Sequence, residues 1–191
     1  NEGGVEGTIR LLKNITGMWI VEQCLKQWKS EGKDYSYPEM VALAQCSKAV
    51  CTLDPDVPDF VAPANMVAAI DEYCRATEQA VPATHGEYIR SVFESLARKY
   101  AKTLDVFRGL SEYPIERLHV IGGGSRNAFL NQLTADACGI PVIAGPAEAT
   151  ALGNIMIQAI ASGSVKNLTE MRKVIADNIE TETYYPKNKQ S

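Results

Sequence analysis

Three consecutive glycines stand where a short apolar segment gives way to a helical pattern. The segment reads Ile121-Gly122-Gly123-Gly124-Ser125-Arg126-Asn127. Backbone N–H groups at the start of a helix point outward, and the helix dipole adds about half a positive charge there. Glycines also let a phosphate or a ribose approach the main chain. The turn therefore predicts a site for an anionic ligand, and a tight turn with close helix-to-strand packing is the alternative.

Neither of two well-known nucleotide-binding fingerprints fits this turn. A dinucleotide-binding G-x-G-x-x-G motif would need a glycine at position 127, where Asn127 stands. A P-loop would need Lys and then Ser or Thr after its last glycine, where Ser125 and Arg126 stand. The three glycines by themselves are a weak signal of nucleotide binding.

Two neighbouring segments favour a functional turn. Asn127 and Asn131 are four residues apart on one helical face, which predicts a polar stripe lining a cleft. Small residues at 145–154 begin a later helix, so a flat group could fit between the two helices, although ordinary close packing would also explain them. We expect Glu148 to complement the N-terminus of that helix rather than to catalyse a reaction.

The elements around the turn follow the order strand, glycine turn, helix, strand, helix. Apolar runs at 117–121 and 140–144 predict the two strands, helical spacing predicts a helix from Phe129 onward, and 148–161 predicts a nearly all-apolar helix. A final helix is predicted at 169–176. This order is typical of a parallel strand pair with helical crossovers, so the fold class is α/β.

Helices dominate the preceding part of the chain. The clearest spans 84–107, because Thr84 and Glu87 form a capping box before a long apolar repeat. Apolar spacing, proline positions and Gly32 predict the other elements, which are a short strand at 8–12, helices at 16–31, 38–48 and 63–78, and a proline-rich loop at 54–59.

Composition indicates one soluble globular domain. The chain has 191 residues, a formal charge of −4 and 46% hydrophobic residues. No run of like charges is present, which argues against a nucleic-acid or membrane-surface partner. The five cysteines are odd in number and form no C-x-x-C pair, so we expect reduced thiols, no metal site and a cytoplasmic protein. No apolar stretch approaches the roughly 18 residues needed to cross a bilayer.

The first residues, Asn1-Glu2-Gly3-Gly4, favour a turn and do not include Met. We interpret them as a cut inside a longer polypeptide, and the scarcity of strands fits that interpretation. The domain at 1–191 is therefore expected to lack its first strands and to have an incomplete sheet. Such a fragment would self-associate through uncovered edges and apolar faces.

Four blocks of sequence resemble the C-terminal domain of the FGGY carbohydrate kinases. The resemblance follows the same order over nearly the whole chain and weakens between about Glu31 and Gln79. The blocks are Asn1-Glu2-Gly3-Gly4-Val5-Glu6-Gly7-Thr8, Leu11-Leu12-Lys13-Asn14-Ile15-Thr16-Gly17-Met18-Trp19, His119-Val120-Ile121-Gly122-Gly123-Gly124-Ser125-Arg126-Asn127, and residues 130–142 with 145–154.

The resemblance implies a helix-rich, actin-like (ribonuclease H-like) ATPase domain, paired with an N-terminal sugar-binding domain of the same enzyme. In the implied reaction Mg-ATP gives its γ-phosphoryl group to the 1-hydroxyl of a ketose, with L-rhamnulose as the expected ketose. The implied ATP-binding residues are Gly122, Gly123, Gly124 and Asn127, and Asn14 is the implied substrate-binding residue. Glu22 is a further candidate for ATP binding, although it stands where the family often has Gln, and a carboxylate near phosphates is unfavourable unless it is screened or turned away.

The general-base Asp implied by the resemblance is expected before Asn1, so we assign no catalytic residue within the chain. The chain alone is then predicted to be inactive, because phosphoryl transfer needs nucleophile, metal and γ-phosphate positioned together. The alternative is a non-catalytic actin-like module that senses nucleotide or serves in regulation.

Overall fold

The computed structural model describes residues 2–187, so Asn1, which begins one of the resembling blocks, lies outside the described residues. The chain divides into two compact units, Asn1–Asp105 and Val106–Ser191.

The first unit consists mainly of helices. A short antiparallel hairpin, β1 (Glu2–Gly3) and β2 (Ile9–Arg10), begins it. Four helices follow, which are α1 (Trp19–Ser30), α2 (Tyr37–Gln45), α3 (Met66–Ala76) and α4 (His85–Leu110), the last of which continues past the end of the unit. A short 3-10 turn, Pro58–Phe60, lies in the proline-rich loop.

Local capping marks where α3 and α4 begin. The predicted capping box of α4 is confirmed, since the Thr84 N–H donates to Glu87 Oε2 at 3.2 Å and the Glu87 N–H donates to Thr84 Oγ1 at 3.3 Å. Helix α3 was expected from position 63 but begins at Met66, because Asn65 Oδ1 accepts from the Ala68 N–H at 3.0 Å. The predicted strand at 8–12 is reduced to two residues, and the helix expected to reach 48 ends at Gln45.

The core of the first unit is apolar and rich in aromatic side chains. Phe60, Ile70 and Phe93 have no exposed surface, and Trp28 is 2% exposed. The His85 ring stacks on Trp28 with ring centres 4.0 Å apart. This stacking gives His85 a packing role at the start of α4.

The second unit contains a three-stranded sheet and three helices. Its elements in chain order are β3 (Leu118–Val120), α5 (Ala128–Cys138), β4 (Val142–Ala144), α6 (Ala149–Ala161), α7 (Leu168–Asn178) and β5 (Glu182–Tyr184). Strands β3 and β4 are parallel, which confirms the predicted pair, and β5 adds to the other side of β4 in the antiparallel sense.

Strand β5 was not expected from the sequence. It has only three residues, and its backbone pairs with the strand edge of β4 that β3 leaves open. A pairing of this kind depends on distant backbone groups rather than on a local apolar pattern, so composition did not indicate it.

Helix α6 carries apolar side chains all round, as expected, but packs only one of them fully. Met156 is 9% exposed, whereas Ile155 is 63% exposed and Ile157 is 36% exposed. Within residues 2–187 no helix is both long enough and apolar enough to cross a membrane.

Candidate functional site

The candidate site lies at the carboxyl ends of the parallel strands β3 and β4. Val120 and Ala144 are register partners at these ends, so the loops that follow leave the sheet at the same edge. The Gly145 N–H donates to the Val120 carbonyl at 2.8 Å, and the Gly122 N–H donates to the Pro146 carbonyl at 3.0 Å. The carboxyl edge of parallel strands is where α/β domains bind ligands.

The glycine turn has one position that requires glycine and one that is open to approach. Gly122 has φ of +75°, in the left-handed region that disfavours side chains. Gly123 is exposed, and a Cβ placed there would have no described atom within 4 Å. A ligand group can therefore reach the main chain at Gly123.

Residues 123–126 form a short 3-10 turn rather than the first turn of an α-helix. Its shape is fixed by Ser125, whose Oγ donates to the Gly122 carbonyl at 2.7 Å. Asn131 Nδ2 donates to the Ser125 carbonyl at 2.9 Å from one turn inside α5. The turn is thus held by α5 as well as by the sheet.

Asn127 joins the turn to α5 and is 2% exposed. Its Oδ1 accepts from the Leu130 N–H at 3.0 Å and so caps the helix. Its Nδ2 is buried and has no hydrogen-bond partner among residues 2–187. Because an unpaired buried donor costs about 1–3 kcal/mol, an acceptor on a ligand would be favoured there.

The predicted cleft lining by Asn127 and Asn131 needs revision. Both side chains are buried, with 2% exposure each, so they do not present an open polar stripe. Asn131 shapes the glycine turn through its bond to Ser125. The functional signal on this face is the single unpaired amide of Asn127, which helical spacing could not reveal.

Glu148 occupies the N-cap position of α6, as expected, but its side chain makes no capping hydrogen bond and instead pairs with Arg126 across the turn at 3.1 Å. Both side chains are mostly exposed, at 80% and 67%. Exposed ion pairs contribute about 0–1 kcal/mol, so we assign this pair no large role in stability. The contact does link the glycine turn to the start of α6.

The other two predicted site residues lie in the first unit. Asn14 is exposed in the segment between β2 and α1, and Glu22 is exposed in the first turn of α1. The glycine turn belongs to the second unit.

One part of the site that the sequence analysis missed is the contact made by the 145–146 loop. The signal was available, because two strands predicted to be parallel must end at the same edge of the sheet.

No group of three or more His, Cys, Asp or Glu side chains suited to a metal ion occurs within residues 2–187.

The comparisons with known proteins give the fold class and the family of the chain. A sequence model described as the FGGY family of carbohydrate kinases, C-terminal domain, matches residues 1–162. The chain belongs to this family.

Curated relatives carry the name rhamnulokinase. The chain is 53% identical over 189 residues to rhamnulokinase of Bacteroides thetaiotaomicron, covering 98% of this chain and 38% of that protein. It is 42% identical to rhamnulokinase of Enterococcus faecalis, covering 96% and 37%, and 40% identical to that of Bacillus subtilis, covering 98% and 38%. The chain thus spans less than two fifths of the length of these relatives.

Solved structures of sugar kinases share the fold. A xylulose kinase from Rhodospirillum rubrum matches with a TM-score of 0.57 at 20% identity, over 90% of this chain and 33% of that chain. A gluconate kinase from Lactobacillus acidophilus matches with a TM-score of 0.56 at 16% identity, over 90% and 34%. The expected actin-like, helix-rich α/β fold class is confirmed.

Proposed function

We propose that the intact protein is an ATP-dependent ketose kinase that transfers the γ-phosphoryl group of ATP to the 1-hydroxyl of L-rhamnulose. The observation that carries this proposal is the 53% identity to a rhamnulokinase over 98% of the chain. Two further rhamnulokinases at 42% and 40% identity support the same substrate.

The glycine turn is our proposed nucleotide site. Gly122, Gly123 and Gly124 would lie against the ribose and phosphates, and Asn127 would lie near the adenosine. The open space at Gly123 and the unpaired Asn127 Nδ2 suit such a ligand, since the first admits it and the second can donate to it. ATP bound there would supply the phosphoryl group, and Mg²⁺ would accompany its phosphates.

We propose Asn14 as a substrate-binding residue and Glu22 as a further ATP-binding residue of the same enzyme. The exposure of Asn14 leaves its amide available to substrate or nucleotide. Glu22 is exposed as well, which lets its carboxylate turn into solvent rather than toward phosphates. A Glu22→Gln variant would show which applies, because a contact made by Glu22 itself should alter the ATP KM.

A coupled assay of ADP formation with the intact protein tests the proposal. Mg-ATP would be supplied with L-rhamnulose, L-fuculose or D-xylulose, and a reaction without ketose would be the control. We expect the highest kcat/KM with L-rhamnulose. A preference for another ketose would contradict the substrate, and nucleotide binding without any turnover would favour the regulatory module instead.

The polypeptide of residues 1–191 should be inactive in the same assay, since the expected general base is not among its residues. Turnover by that purified polypeptide would contradict this part of the proposal.

We also propose a cytoplasmic location, which the thiol state of the five cysteines supports. Self-association of the 191-residue polypeptide stays a prediction that sedimentation can test.

A further inference from the structure

We propose that Asp56, held in place by Lys99 of α4, is a positioning residue for the segment 13–16 that carries Asn14. The inference rests on the proposed function, because Asn14 is the proposed substrate-binding residue of the first unit. All the contacts that carry it lie within the first unit.

One face of α4 fixes the loop that leads to Asp56. Ser91 and Ser95 are one turn apart and nearly fully buried. Ser91 Oγ accepts from the Val50 N–H at 3.1 Å, and Ser95 Oγ accepts from the Leu53 N–H at 2.8 Å. These two hydrogen bonds attach the loop at 50–53 to the helix.

Lys99, one turn beyond Ser95, continues this face of α4. Its Nζ lies 2.8 Å from Asp54 Oδ1 and 2.9 Å from Asp56 Oδ2. The Lys99 side chain is 19% exposed and that of Asp56 is 22% exposed, so solvent screens their interaction less than it screens a surface pair. Hydrogen bonding to Asp54 is the main cause that raises the pKa of Lys99.

Asp56 in turn contacts both ends of the segment 13–16. Lys13 Nζ lies 3.3 Å from Asp56 Oδ2, and the Thr16 N–H donates to Asp56 Oδ1 over a long 3.5 Å. Burial alone would raise the pKa of Asp56, but the contacts with the Lys99 and Lys13 ammonium groups outweigh burial and lower it. Asp56 thus stays charged and bridges α4 to the residues on either side of Asn14.

Asp56 has a role beyond stability because Asn14 lies between its two contacts, Lys13 and Thr16. Asn14 itself is exposed and belongs to neither a helix nor a strand. Its position therefore depends on how its neighbours are held. Fixing a binding group in advance avoids the entropy cost of ordering it when the ligand arrives.

The test compares Asp56→Asn with Lys102→Met in the intact protein. Asp56→Asn removes the charge with little change of shape. Lys102 lies on α4 close to Lys99, is exposed, and makes no ion pair or hydrogen bond with the described residues. Hydrogen exchange is measured at residues 13–18, and kcat and KM are measured for ATP and ketose.

We expect Asp56→Asn to speed exchange at 13–18 while the core of α4 stays protected. The kcat/KM should fall about tenfold, the size that a loss of about 1.4 kcal/mol gives. Lys102→Met should change neither quantity. Lys99→Met should behave as Asp56→Asn does, and Lys99→Arg, which keeps the charge, should restore most of both.

Two results would overturn the inference. In one, Asp56→Asn speeds exchange throughout the first unit, which would show a purely structural role. In the other, the kcat/KM of Asp56→Asn for both substrates equals the kcat/KM of Lys102→Met. If the wild-type protein phosphorylates no ketose, the proposed function fails, and the exchange measurement alone then decides whether Asp56 orders the segment.

Discussion

The two units of the chain have different interiors. Among the described residues, every buried aromatic side chain lies in the first unit, including Trp28, Phe60 and Phe93. The buried apolar residues of the second unit are Leu130, Ala135, Cys138, Val142, Ala144 and Met156, and three polar residues, Asn127, Asn131 and Thr134, are buried with them.

This difference separates stability from function. Burial of large apolar side chains is the main favourable term in folding, so the first unit should contribute most to stability. In the second unit, buried amides determine the shape of the glycine turn. Burying an amide costs free energy unless each of its polar atoms has a hydrogen-bond partner. Mutations in the two interiors should therefore affect different measurements.

The largest effect is expected from Phe93→Ala. Phe93 is fully buried in α4, and such a truncation costs about 3–5 kcal/mol through lost burial and the cavity left behind. Phe129→Ala in α5 is the matched variant, because Phe129 is only half-buried. Urea unfolding should show the greater loss for Phe93→Ala, and equal losses would break the comparison between the units.

Gly86→Ala should destabilise the first unit by about 1–3 kcal/mol through overpacking. An added Cβ would lie 2.8 Å from the Leu43 carbonyl oxygen and would also collide with Ser47 Oγ. Gly109→Ala is the control near the other end of α4, where the added Cβ would meet no described atom within 4 Å. In thermal unfolding, the melting temperature of Gly86→Ala should be lower than that of the wild type, and that of Gly109→Ala should equal or exceed it.

Asn127 should separate capping from ligand binding. Asn127→Ala removes the cap on Leu130 and should cost about 1 kcal/mol of stability. Asn127→Ser keeps a capping oxygen but removes Nδ2, so it should preserve stability while weakening binding of ATP. If Asn127→Ser binds nucleotide as the wild type does, the unpaired amide does not contact the ligand.

The smallest effect is a pH dependence from His85. Burial is the main cause that lowers the pKa of His85, with Glu31 opposing it and Lys33 adding to it. Folding thus favours the neutral ring. Its contribution to the free energy of unfolding is complete above the ordinary pKa of about 6.5 and is lost as pH falls from there through the lowered pKa. His85→Gln should flatten the fall in melting temperature below pH 6.5, and an unchanged fall in this variant would contradict the role given to the His85 ring.

The sequence predicted those parts of the molecule that depend on local pattern. Helix α4, its capping box and the parallel pair of β3 with β4 follow from periodicity and caps. Strand β5 could not be predicted in this way, because it is defined by its backbone pairing with β4. The unpaired Nδ2 of Asn127 also depends on tertiary burial, so the sequence showed a polar face but not which atom lacks a partner.

The central claim is that the glycine turn of the second unit binds nucleotide, and Gly123→Val in the intact protein tests it most directly. The added Cβ would have no described atom within 4 Å, so we expect the fold to persist while the approach of ribose or phosphate is blocked. Gly109→Val, at another open position, is the control. We predict a raised KM for ATP with little change in the KM for ketose, and a selective rise in the KM for ketose would contradict the assignment.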